Sequence, residues 1–163
     1  MKDTLVMKFG GTSVGSAQAI RQVIEIVRVA KVEWQNVAIV VSAMSGVTDK
    51  LLNAAKSAVD GDEGAGERIA QELGEKHLSL LAELVPEAAD VRERIEELLA
   101  EFVSLCHAIH VLGEATPRAL DAIASLGERM SAPLVAAALE QAGLLANAVD
   151  AREVVVTDAV YQF

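Results

Sequence analysis

A lysine, paired glycines and two hydroxyl residues lie together in Val6-Met-Lys-Phe-Gly-Gly-Thr-Ser-Val14. Lys8 sets a positive charge at the end of a short apolar run. Gly10 and Gly11 carry no side chain to hold a ligand away from the backbone, and Thr12 and Ser13 add hydroxyls ahead of an amphipathic helix. Bare amides, a helix start and one cation suit a phosphate held at close range. The spacing is not that of the familiar nucleotide loops. Gly10 and Gly15 keep the gap of a P-loop, but Ser16 stands where its lysine belongs, and G-x-G-x-x-G is absent. A tight strand-to-helix turn with a surface lysine is the plainer alternative, and residue types alone leave it open.

Two further segments offer polar chemistry. Ser42, Ser45, Gly46 and Thr48 follow a second apolar run, where small hydroxyls can bind a polar substrate or simply make a turn, with Thr48 as a helix cap. Ser125-Leu-Gly-Glu-Arg-Met-Ser131 sets Glu128 beside a glycine in an apolar helical stretch. Its carboxylate suits a substrate ammonium; the alternative is a charged pair with Arg129 on a solvated face. His107, His110 and Glu114 share helical spacing near Cys106, but neither H-E-x-x-H nor paired C-x-x-C is present, so no metal site is assigned. A G-x-S-x-G elbow is also missing, which leaves nucleophilic catalysis unsupported.

The elements that must position these residues follow from periodicity. Thr4–Phe9 and Val37–Val41 read as buried strands, and helix faces run from Ile20 and from Thr48. Strand, helix, strand, helix favours a parallel sheet. If it is open, ligands gather beyond the carboxyl ends of its strands, which places the two loops side by side. Residues 64–113 read as two long helices broken near Pro86, an excursion from the sheet. Thr116-Pro117 starts another helix, which Gly127 and Pro133 are expected to divide or kink. Leu144–Val149 and Val154–Thr157 read as two more strands.

The 163 residues suffice for one domain with a genuine core, 52% hydrophobic yet only 3% aromatic, so that core rests on aliphatic side chains. The net charge of −10 argues against nucleic acid or an anionic membrane as partner. Residues 60–101 hold 13 of the 24 acids and 4 of the 14 bases, so the glycine loop sits in a nearly neutral remainder that admits an anion. With Cys106 the lone cysteine, and neither a leader pattern nor a spanning apolar run, a cytoplasmic setting is expected.

Lys8-Phe-Gly-Gly-Thr-Ser-Val14, Val41-Ser-Ala-Met-Ser-Gly-Val-Thr48 and Gly127-Glu-Arg-Met-Ser131 resemble, in order, three signatures of the aspartate kinases. The resemblance runs over essentially the whole chain. It implies an α/β fold, the three-layer α-β-α sandwich around a mainly parallel sheet of amino acid kinases, here incomplete and with a helical hairpin excursion. It implies transfer of the ATP γ-phosphoryl group, with Mg²⁺, to the side-chain carboxylate of L-aspartate, the first step toward lysine, threonine and methionine. By position, Lys8, Gly10, Gly11 and Thr12 fall in the phosphate site, with Lys8 catalytic, and Ser42, Thr48 and Glu128 in the aspartate pocket. Family members continue beyond Phe163 into a nucleotide-binding half and regulatory ACT domains. Residues 1–163 are thus expected to be the first part of a kinase domain, inactive alone and prone to homo-oligomerise through an exposed sheet edge or strand exchange. A non-catalytic binding domain, or a relative acting on another carboxylate, carbamate or phosphate, are the alternatives.

Overall fold

The structure, a computed structural model, describes residues 2–155. Strand β1 (Lys2–Phe9) leads through helix α1 (Ala17–Glu33) to strand β2 (Trp34–Val41). The strands pair in parallel, from Lys2 opposite Trp34 to Phe9 opposite Val41. Parallel neighbours need a crossover of a dozen residues or more, which the 17-residue α1 supplies. Its buried stripe of Ala17, Ile20, Val23, Ile24 and Val27 has helical spacing, and the Ser16 hydroxyl caps it by accepting from the Ala19 amide at 3.2 Å. The helix read from the apolar face at Ile20 begins one turn earlier, at Ala17, after the turn that carries Thr12 and Ser13.

The rest is helical: α2 (Val47–Val59), α3 (Ala65–Leu84), α4 (Ala89–Leu112), α5 (Pro117–Gln141) and the single turn α6 (Ala151–Val154). Helices α3 and α4 form the expected hairpin around Pro86, and α2 packs on α3, α4 and α5. The core lies among these helices, with Leu51, Leu73, Ile95, Leu98, Phe102, Ile123, Leu126, Met130 and Leu134 almost wholly buried. Glycines allow the close α3–α4 approach: a Cβ at Gly66 would stand 2.7 Å from Cys106 Cβ. No helix among the described residues is long and apolar enough to cross a membrane.

Three expectations are corrected. Helix α5 runs unbroken through Gly127 and Pro133, because Leu126, Met130, Leu134 and Ala138 bury one continuous face that outweighs a lost backbone bond. Thr48 does not cap α2; Gly46 does, in the left-handed conformation at φ 78°, and Thr48 is the second helical residue. Leu144–Val149 joins no ladder, and Val154 ends α6, while residues 156 and 157 lie outside the described residues. The described sheet accordingly has two strands. One face, with Phe9, Val37, Ile39 and Val41, packs on the core; on the other, Val6 is 65% and Val40 50% exposed.

Candidate active site

The parallel register sets the ends of both strands at one level, so loops 10–16 and 42–46 leave the same edge of the sheet. The Ser42 amide continues the ladder to the Phe9 carbonyl at 3.1 Å, and the Ser45 amide donates to the Gly11 carbonyl at 3.2 Å. A Cβ at Gly11 would lie 2.5 Å from the Ala43 carbonyl oxygen and 2.8 Å from the Ser45 nitrogen. Gly11 is therefore required for loop to meet loop rather than for ligand to meet backbone. At Gly10 an added Cβ meets nothing within 4 Å, which leaves that side open. The Ser13 amide closes a turn on the Gly10 carbonyl at 2.9 Å, while the Gly11 and Thr12 amides have no acceptor among the described residues.

Lys8 and Ser42, 34 residues apart in sequence, are joined: Lys8 Nζ donates to Ser42 Oγ at 3.2 Å. The next residue, Ala43, meets the third segment. Buried Gly127 brings α5 onto the loop so closely that a Cβ there would stand 2.5 Å from Ala43 Cβ. One residue on, Glu128 Oε1 accepts from the Ala43 amide at 3.1 Å. The structure thus brings Lys8, Gly11, Ser42 and Glu128 to one mouth. Thr12, exposed in its turn, and Thr48, in the first turn of α2, border it without a direct bond to these four. The arrangement sets a cation and a carboxylate on either side of a hydroxyl and free amides, a pattern suited to a small molecule bearing both signs of charge.

Two cationic groups make contacts here that the motifs did not show. Lys76, on α3, donates to the Ser45 carbonyl at 2.9 Å, and burial, with repulsion from Lys50, holds its pKa below the ordinary lysine value. Only the contact across 31 residues reveals it. The sequence offers Arg129 only as the alternative partner of Glu128 on a solvated face. Instead its side chain is 10% exposed and turns to α4, gripping both oxygens of Glu101 at 2.9 and 2.8 Å. Among the described residues no group of three or more His, Cys, Asp or Glu is disposed to hold a metal ion.

The profile of the amino acid kinase family matches residues 3–162. The aspartokinase of Chlamydia muridarum is 33% identical over 160 residues, which are 98% of this chain and 33% of that protein. Aspartokinase 3, chloroplastic, of Arabidopsis thaliana is 36% identical over 94% of this chain and 27% of its own length. Among solved structures, E. coli aspartokinase III in complex with aspartate and ADP superposes with a TM-score of 0.70 at 27% identity, over 88% of this chain and 30% of that one. The chain therefore spans a third or less of these relatives.

Proposed function

The chain belongs to the amino acid kinase family, and from that premise we propose that it forms the aspartate- and phosphate-binding part of an aspartate kinase. The observation that carries this reading is the tie of Lys8 and Glu128 to consecutive residues, Ser42 and Ala43. Aspartate has an ammonium at one end and a side-chain carboxylate at the other. Glu128 takes the ammonium, and the carboxylate then points toward the phosphate side of the mouth. The complex of E. coli aspartokinase III with aspartate and ADP supports the same pairing of ligands.

The acceptor carboxylate is ionised at neutral pH, so no general base is needed. One of its oxygens bonds to the γ-phosphorus of ATP, the bond to the β-phosphate oxygen breaks, and ADP leaves with that electron pair. The obstacle is repulsion between two anions, so catalysis consists of positioning and charge neutralisation. Lys8 supplies the cation, the Gly11 and Thr12 amides supply donors, and open space at Gly10 lets the phosphate approach. Mg²⁺, held chiefly by the phosphate oxygens, would add to that neutralisation in the complete kinase. Loss of one such electrostatic donor costs on the order of 10²–10³ in rate.

The test mixes the chain with a separately made polypeptide matching the remaining kinase domain of its relatives, and assays aspartyl phosphate. Activity is expected in the mixture and little in the chain alone. Lys8→Ala should lower kcat by about 10²–10³ with aspartate affinity nearly unchanged, whereas Glu128→Gln should raise the KM for aspartate. Turnover unaffected by Lys8→Ala overturns the catalytic role. A Glu128→Gln effect confined to ATP overturns the pocket. Self-association through the open sheet edges belongs to the same reading; a strict monomer in sedimentation overturns that part.

A further inference from the structure

Gly127, Glu128 and Arg129 are consecutive on α5, and each meets a different neighbour. Gly127 touches the 42–46 loop, Glu128 reaches the Ala43 amide, and Arg129 faces α4. The Arg129 fork bonds both Glu101 oxygens, and its Nε lies 3.6 Å from Asp150 Oδ2, too far for a hydrogen bond. Asp150 is itself held by Arg152 at 2.7 Å. A bidentate, largely buried guanidinium fixes direction as well as distance, which a lysine ammonium cannot do. Residues one apart on a helix point about 100° from each other. Fixing Arg129 against α4 therefore fixes the rotation at which Glu128 meets the loop.

We propose that Arg129 is a positioning residue: its clamp on Glu101 sets the rotation of α5 that presents Glu128 to the mouth. The inference rests on the aspartate reading for why that placement matters, but the placement can be measured without ligand. The Ala43 amide donates to Glu128 Oε1, so its NMR shift reads that contact directly. In the wild-type chain that shift should be displaced from its Glu128→Gln position, and this displacement is the signal. Arg129→Lys and Glu101→Gln, both conservative, should cut its amplitude at least twofold at a temperature well below melting. The exchanged pair, Arg129→Glu with Glu101→Arg, should restore part of it. Aspartate binding, followed on the same resonances, should weaken roughly ten- to a hundredfold in the single variants.

A purely structural pair would lower the melting temperature and leave the Ala43 displacement of the folded chain intact, and that result overturns the proposal. Unfolding of both single variants also overturns it, because the pair would then be holding the fold rather than setting one side chain. If the Ala43 displacement shrinks in the variants as expected but the wild-type chain shows no response to aspartate, the clamp stands and the aspartate reading fails.

Discussion

At the scale of single residues, adjacent glycines do different work. Gly10→Ala fits the free space around it and should leave the unfolding free energy within about 0.5 kcal/mol of wild type while, on the proposed reading, impairing phosphate binding. Gly11→Ala drives a methyl into the Ala43 carbonyl and should cost at least about 1–3 kcal/mol in a thermal or urea melt. Equal effects of the two would refute the distinction. His77 gives a pH prediction. It is fully buried, its Nδ1 donates to the Leu73 carbonyl at 2.7 Å, and its Nε2 has no partner. Burial pushes its pKa below the ordinary 6.5, only partly opposed by the Leu73 bond. Below pH 6.5 the unfolded chain binds a proton that the folded chain refuses, so stability falls as pH drops, by about 1 kcal/mol per unit. His77→Gln should flatten that slope between pH 6.5 and 5.5. The motifs singled out Lys8, Gly11, Ser42 and Glu128 by residue type, and the structure brings those four to one mouth. The contacts of Lys76 and Arg129 escaped because a long cation carries no signal until its distant acceptor is known.

At the scale of elements, the helices were legible and the last strands were not. Helical stripes record burial within one segment, so Ile95, Leu98, Phe102 and Ile109 announce α4 without reference to anything else. A strand exists only with a partner for its backbone. Leu144–Val149 has strand composition, yet it lies along a cleft of about 660 Å³ beside Val37–Val41 rather than bonded to it. Gly46 capped α2 in place of Thr48 because a left-handed glycine can open a helix without any side-chain bond. The α3–α4 contact offers a prediction of its own. Gly66→Val would force the helices apart at Cys106 and should lose about 1–3 kcal/mol in a melt. In the wild type, burial pushes the Cys106 thiol up to about 11, so a thiol reagent should modify it only on unfolding; Gly66→Val should speed that reaction.

At the scale of the whole molecule, charge is the governing asymmetry. The net charge of −10 is concentrated in residues 60–101, and most ion pairs there join exposed side chains worth little individually. Screening should relieve more repulsion than it removes attraction. Raising salt from 0.02 to about 0.2 M is expected to lift Tm by about 2–4 °C, the shift that about 1 kcal/mol produces at this size. A fall in Tm would mean that the buried clamp on Arg129 and its neighbours outweighs the acidic surface.

The alignment of Lys8 with Val40 acts as a vernier for the mouth. Side chains alternate between the two sides of a strand, so one amino acid inserted early in β1 could be absorbed by sliding the ladder or by inverting everything after it. Inversion would swing the ammonium of Lys8 in among Val37, Ile39 and Val41. An insertion of two would restore its direction but lift it a full rung, out of reach of Ser42. Neither length change leaves the lysine serviceable, so the tolerance of this strand for indels should end abruptly where its tolerance for substitution does not.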